Sequence, residues 1–303
     1  MTSNDKPLFS VIIPTYNHAP VLKRCLESVI NQTFSDWEAI VVNNFSEDNT
    51  IEVVENMEDS RIQLVNFRNS GIIAASRNEG IRLARGDYIA FLDSDDWWYP
   101  KKLEAAALYF PKTDVVYHNL DIYTKKGRKL FIKMRGKRLK KPVFRDLMLN
   151  KNALPNSSVV VKKSIINEVG ALGENRALIS VEDFDLWLRI SKITENFSYI
   201  SKSLGAYWMG ESNITEVSEK QIQRLKAIYN LHKDSLSSEE KKQVDFRVSY
   251  LSGKHKAKMG LFREAQKLFQ NSVKSKKFTI KLKSVIFITL VQLQRLRLIR
   301  HKS

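Results

Sequence analysis

The stretch DYIAFLDSDDWWYP, residues Asp87–Pro100, decides the fold. An apolar run from Tyr88 to Leu92 stops abruptly at Asp93, with Asp95 and Asp96 close behind. A short, continuous apolar run between polar flanks reads as a strand buried on both faces. Working outward, FSVIIPTY (Phe9 to Tyr16), WEAIVVN (Trp37 to Asn43) and RIQLVNF (Arg61 to Phe67) have the same character. Between them, Val21–Ile30, Thr50–Met57 and Ile72–Ala84 carry apolar residues at helical spacing. Repeated strand-helix-strand units predict an α/β chain with a mainly parallel, Rossmann-like sheet covered by helices. Ligands of such sheets bind beyond the carboxyl ends of the strands. The ends Pro14-Thr15-Tyr16-Asn17, Asn43-Asn44-Phe45-Ser46 and Asp93-Ser94-Asp95-Asp96 are therefore expected on one rim.

Further along, DVVYHNLDIY (Asp114–Tyr123), KLFIKM (Lys129–Met134) and SSVVV (Ser157–Val161) read as strands, and EDFDLWLRI (Glu182–Ile190) as a helix. From about Val217 the pattern turns helical, near Val217–Leu231, Ser238–Leu251, Phe262–Ser272 and Ile280–Arg300. The run Ala257–Phe269 spaces small residues and Gly260 as one helix-turn-helix repeat does, predicting an appended helical hairpin. The expected division is 1–212, in two halves over about 8–100 and about 101–212, followed by a basic helical extension over 213–303.

At 303 residues and 43% hydrophobic content the chain has enough material for a catalytic core and an appendage. A single cysteine, Cys25, excludes an internal disulfide and reads as a small core residue. The N-terminus lacks the basic flank and cleavage site of a signal peptide, and no run of about 18 apolar residues predicts a spanning helix. A cytoplasmic location is expected, with a peripheral one on the inner membrane face as its variant. The net charge of +17 is concentrated: Lys241 to the end holds seventeen Lys/Arg against Asp245 and Glu264, and a second basic run spans Lys125–Arg145. Such fields suit polyanions, anionic membranes or phosphorylated acceptors, or merely solubilise a face. No nucleic-acid motif and no Gly-rich phosphate loop accompanies them, so nucleic acid is not an expected partner.

Three acidic residues at one buried strand end repel, and a hard divalent cation, Mg²⁺ or Mn²⁺, is one resolution; capping of the helix near Pro100 by Asp95 or Asp96 is the other. In Glu182–Ile190 the acids Glu182 and Asp183 fall at the helix N-terminus, where the dipole favours the ionised form.

NSGIIAASRNEGIRLARGDYIAFLDSDD (Asn69–Asp96), with FSVIIPTYN and NQTFSDWEAIVVNN, closely resembles the family-2 glycosyltransferases of GT-A fold and bacterial surface-polysaccharide type. The resemblance covers about 8–100 with high specificity and extends more weakly to about 210. It implies inverting, metal-dependent transfer from a nucleotide sugar to a hydroxyl of a glycan or lipid-linked acceptor. It puts Pro14 and Tyr16 at the base and ribose, Asp93 at the ribose or metal, and Asp95 on the metal. Asp183, paired with Glu182, becomes the general base. Arg77 offsets phosphate charge or makes a surface ion pair. Where the family has Asp-Asp, this chain has Asn43-Asn44; the Asn44 carbonyl can still accept from a uracil imide, so a UDP-sugar stays favoured. Leu154–Ser158 falls where the family has acceptor-facing residues, and the family's metal-closing histidine is missing near Tyr207–Gly210. The last helix, with Leu282, Val285, Ile286, Leu290, Leu293 and Leu296 among Lys and Arg, suits an anionic membrane or docking on its neighbours. The competing readings are a nucleotidyltransferase and a non-catalytic nucleotide- or polyanion-binding relative.

Overall fold

The structure, a computed structural model, describes residues 6–150, 152–210 and 218–300, with side chains through 294 in the last stretch. Strands are β1 (Phe9–Thr15), β2 (Trp37–Asn43), β3 (Ile62–Asn66), β4 (Tyr88–Phe91), β5 (Trp97–Trp98), β6 (Val115–Thr124), β7 (Gly127–Met134), β8 (Val160–Lys162) and β9 (Phe197–Trp208). Helices are α1 (Ala19–Ile30), α2 (Thr50–Glu55), α3 (Ile73–Leu83), α4 (Lys102–Ala107), α5 (Val143–Leu149), α6 (Lys163–Glu168), α7 (Glu182–Ile190), α8 (Glu219–His232), α9 (Ser238–Lys258), α10 (Phe262–Ser272) and α11 (Phe278–Arg300). The chain divides into two compact units: 1–144 with 152–213, and 145–151 with 214–303. The expected boundary at 212/213, and Val217 as a helix start, lie outside the described residues.

The first unit holds a nine-stranded sheet in the order β3-β2-β1-β4-β8-β6-β9-β5, with β7 added along β6. Its first four strands are parallel, β1 pairing β2 and β4 and β2 pairing β3, which follows from their helical crossovers. Beyond β4 the pairing is mixed: β8 runs antiparallel to β4 and β6, whereas β6 and β9 are parallel. Every residue of β1 and β2 is buried, as their unbroken apolar runs require. Leu22, Cys25, Leu26 and Val29 bury one face of α1 on this layer. Gly80 explains the glycine of the Ala-Ser-Arg-Asn-Glu-Gly run: a Cβ there would stand 2.7 Å from Ile12 and 3.3 Å from Val42, so only glycine lets α3 settle this close to β1 and β2.

β5, α5, α6 and β9 lie where no element is expected from the sequence, and the start of β8 differs as well. β9, whose Ser and Lys residues obscure its periodicity, is a full strand. Its ladder with β6 is interrupted by register shifts near Asn119, so no simple alternation survives in the sequence. Ser157 and Ser158, read as the start of a strand, belong with Asn156 to a 3₁₀ turn before β8.

In the second unit α9 and α10 form the expected hairpin through Gly260, at φ 75°. Ser237 and Glu240 make a full capping box at the start of α9. Phe269 lies against Gly253 and stacks on Phe287, with ring centroids 5.1 Å apart. α11 docks by Ile280, Ser284 and Val291, which are buried, while Leu282, Val285, Ile286, Leu290 and Leu293, the stripe read as suiting either a membrane or its neighbours, stay exposed. The side chains of Leu296, Arg295, Arg297 and Arg300 lie outside the described residues. Among the described residues no helix is long and apolar enough to cross a membrane.

Candidate active site

The parallel half of the sheet brings the three predicted strand ends together. Asn44 N–H donates to Thr15 O (3.0 Å), Asn17 N–H to Ser46 Oγ (2.9 Å), and Glu47 N–H to Asn17 Oδ1 (2.8 Å). Tyr16 leaves this seam 49% exposed, an aromatic face open to a ligand, while Pro14 is buried in β1 opposite Val42. Asn43 is fully buried and structural: it donates to Asn66 Oδ1 and accepts from Ser46. Asn44 Oδ1 accepts from Asn69 N–H (2.9 Å), which commits one of its two lone pairs inside the protein.

At the third strand end the carboxylates diverge in role. Asp96 is buried and accepts from Trp208 N–H (2.8 Å), tying β9 to this rim; it caps no helix, because α4 begins only at Lys102. Burial and then the charges of Asp95 and Asp93 push the Asp96 carboxyl well up. Burial and the neighbouring Asp93 also push Asp95 up to about 7. Asp93 Oδ1 accepts from Arg77 Nη2 (2.8 Å) and Asn156 Nδ2 (3.0 Å), so the Leu154–Ser158 turn touches the site directly.

Arg77 is the organising cation. It is 4% exposed, and its Nη1 donates to Glu182 Oε1 (2.6 Å) while Nη2 holds Asp93. Arg77, read as offsetting phosphate charge or as making a surface ion pair, thus makes a buried three-membered bridge. Burial works against the Arg77 charge, but Asp93 and Glu182 more than offset it and raise its pKa. Glu182, itself buried, is occupied by this bridge. Asp183, the next residue on α7, is only partly buried and accepts from Phe184 N–H (2.6 Å) and weakly from Asn152 Nδ2 (3.3 Å). Burial first, then Glu182, push the Asp183 carboxyl up to about 7.

Two residues escaped the sequence reading. His18 Nδ1 lies 2.8 Å from Ser94 Oγ; burial lowers its pKa against the pull of Asp48 and Asp93. Arg24 donates to the Asp95 carbonyl (3.0 Å), and its guanidinium lies over the rings of Trp97 (3.7 Å) and Trp208 (4.9 Å). The only available signals were a histidine just after the first strand end and an arginine on an otherwise apolar helix.

Among the described residues no three His, Cys, Asp or Glu side chains converge to hold a metal ion. Asp95, with the second oxygen of Asp93, still fits a hard cation. Mg²⁺ and Mn²⁺ take one or two protein carboxylates and complete their shell with phosphate oxygens and water, and Asp95 and Asp93 stand close enough for the Asp93 charge to add to burial in raising the Asp95 carboxyl.

Comparison with known proteins sorts these possibilities. Residues 10–170 match the glycosyl transferase family 2 model. The chain belongs to glycosyltransferase family 2. This family-2 enzyme is 30% identical, over 73% of its length and 84% of the relative's, to the Escherichia coli UDP-Glc:alpha-D-GlcNAc-diphosphoundecaprenol beta-1,3-glucosyltransferase WfgD. Its fold is that of S. aureus TarS in complex with UDP-GlcNAc, at TM-score 0.63 and 18% identity over 95% of this chain and 91% of that one. The Pyrobaculum calidifontis mannosyltransferase PcManGT, in complex with GDP-Man and Mn²⁺, aligns at TM-score 0.55 and 15% identity over 96% and 87%. The GT-A architecture is thereby established, and the chain is a glycosyltransferase rather than a nucleotidyltransferase.

Proposed function

We propose that the chain is an inverting, divalent-metal-dependent glycosyltransferase that moves a sugar from a UDP-sugar to a hydroxyl of a lipid-linked acceptor in surface-polysaccharide synthesis. The observation that carries this reading is the bridge Asp93–Arg77–Glu182. It ties the rim where a nucleotide sugar would lie to the helix that bears Asp183, so donor and base are held in one frame. WfgD supports the UDP donor and the lipid-linked acceptor.

In this reading residues 1–212 are catalytic, with about 8–100 binding the nucleotide, and 213–303 form the basic extension. Tyr16 stacks on the base, and Asn44 uses its remaining lone pair or its amide N–H groups on the base edge. Asp183 takes the proton of the acceptor hydroxyl as that oxygen forms its bond to the anomeric carbon; the bond from that carbon to the diphosphate breaks on the opposite face, inverting the centre. Asp95 with Asp93 would hold Mn²⁺ or Mg²⁺, which supplies charge to the departing diphosphate. Arg77 and Glu182 are positioning residues, and Arg24 fixes the backbone at Asp95. The exposed apolar stripe of α11, with Lys281 and Lys283 on the same helix, supports peripheral contact with an anionic leaflet.

Calorimetric titration of UDP, GDP and CDP, with and without Mn²⁺, tests the donor site. Manganese-dependent binding of UDP that disappears in Asp95→Ala is expected; metal-independent binding, or a preference for GDP, would sink the donor assignment.

A further inference from the structure

β6 and β7 form a hairpin whose ladder breaks in an unusual way. Tyr123 pairs with Arg128 and Asp121 with Lys133, so residues 129–132 of β7 stand opposite Ile122 alone. A bulge of this size cannot stay in the ladder and is thrown outward. Its residues are Leu130, Phe131 and Ile132, at 68%, 92% and 55% exposure, with Phe131 at φ 67°. A bulky residue in the left-handed region is strained, and strain of this kind persists where a segment serves something other than packing. Charge is the second observation. From Lys125 to Lys141 the chain carries ten Lys/Arg and no Asp or Glu. Position is the third. The hairpin springs from the rim of the site: the Tyr123 ring meets Trp97, next in sequence to Asp96, edge-on at 4.7 Å.

We infer that this bulge is a membrane-docking element, inserting Leu130, Phe131 and Ile132 into the headgroup region of an anionic bilayer while Lys126 and Lys129 meet lipid phosphates; Arg128 and Lys133 are held by Asp121. Apolar side chains ringed by Lys and Arg match that boundary. A soluble polyanion would use the cations but leave the apolar bulge in water. A second copy of this chain would bring an equal cationic field against the first, and the bulge interrupts the edge that strand pairing would need. The inference deepens the proposed reading, since a lipid-linked acceptor would then be met at the rim of the site; the binding itself does not depend on sugar transfer.

The test is co-sedimentation of the full chain with vesicles of phosphatidylcholine, alone or mixed with phosphatidylglycerol, with no donor or acceptor present. Binding only to the mixed vesicles is expected. It should weaken at least about tenfold in the triple variant Leu130→Ser, Phe131→Ser, Ile132→Ser, and roughly fivefold per lysine in Lys126→Gln with Lys129→Gln. Because α11 also exposes an apolar stripe, a local readout is needed. Cys25 is fully buried, so Phe131→Cys takes an environment-sensitive fluorophore selectively, and its emission should shift to the blue on mixed vesicles. No shift, or unchanged binding of the triple variant, overturns the inference. Retention on RNA that needs Lys126 but not Phe131, without vesicle binding, overturns it in favour of a soluble polyanion. Self-association abolished by the triple variant, again without vesicle binding, overturns it in favour of a second copy. If vesicle binding holds but no transfer to a lipid-linked acceptor is seen, the acceptor reading fails and the docking element stands.

Discussion

Arg77 Nη1 lies 2.6 Å from Glu182 Oε1, and both side chains are withdrawn from solvent. A residue of α3 thereby meets the first residue of α7, 105 positions later. Removing one partner of such a bridge strands the other charge in a low-dielectric site, so the pair behaves as a single part.

Arg77→Met is accordingly expected to destabilise the first unit by about 3–5 kcal/mol, since Glu182 and part of Asp93 lose their counter-charge. Glu182→Gln should be milder, because a neutral amide can still accept from the guanidinium. Thermal unfolding of the two variants checks the order; an Arg77→Met chain as stable as the parent would remove the positioning role.

The proposed role of Asp183 as base predicts a pH signature. Asp183 must be ionised to accept a proton, and its carboxyl sits up at about 7. Initial rates at low acceptor concentration should therefore rise with pH through about 7 and level off above it. Asp183→Asn should lower kcat by roughly two to four orders of magnitude while leaving UDP affinity nearly unchanged. Stability runs the other way: a carboxyl raised in the folded chain above its ordinary 3.8 contributes stability below about pH 4 and loses it up to about 7. The Asn variant lacks that loss, so its melting temperature should gain on the parent's across this window.

How far the sequence carried this picture depended on the range of the interactions involved. β2 runs from Trp37 to Asn43, the span its apolar residues define, because burial of both faces is written in local composition. The rim positions of Asp93 and Tyr16 were legible for the same reason, since each follows directly on such a run, with Asp95 two residues beyond Asp93. Asp96 was not, because its partner, Trp208 N–H, lies 112 residues away on a strand whose periodicity is broken. His18 and Arg24 owe their places to Ser94 and Asp95, contacts that only the packing of α1 on the sheet creates. The raised carboxyl of Asp183 was not legible, because burial and the Glu182–Arg77 contact arise only when α7 packs on α3.

Asn44 offers a test of base recognition. With one lone pair of Oδ1 given to Asn69 N–H, the outward-facing chemistry of the side chain includes its amide donors. Asn44→Asp keeps the acceptor and replaces those donors with charge. If the base presents an acceptor to Asn44, UDP binding should fall by about tenfold, as expected for a lost hydrogen bond plus an acceptor–acceptor clash. If it presents only the imide N–H, the variant should bind UDP as tightly as the parent or more tightly. Competition between UDP and CDP for both chains separates the two cases.

The helical unit makes an independent prediction through Gly253. A Cβ at this position would lie 2.9 Å from Phe269 Cε1 and 3.1 Å from Cδ1, closer than packed carbons sit. Gly253→Ala gains helix propensity, about 1 kcal/mol in favour of α9. Phe269 cannot simply retreat, because its other face is stacked on Phe287 within 13° of parallel. Overpacking of a fixed ring costs about 1–3 kcal/mol, so the net change should be neutral to destabilising, and never the stabilisation that the same substitution gives on an open helix face. Gly253→Val, which adds bulk without the propensity of alanine, should destabilise clearly. Urea unfolding followed by far-ultraviolet circular dichroism reads both variants, and a Gly253→Ala chain more stable than the parent by the full helix-propensity gain would mean that the ring has room to move.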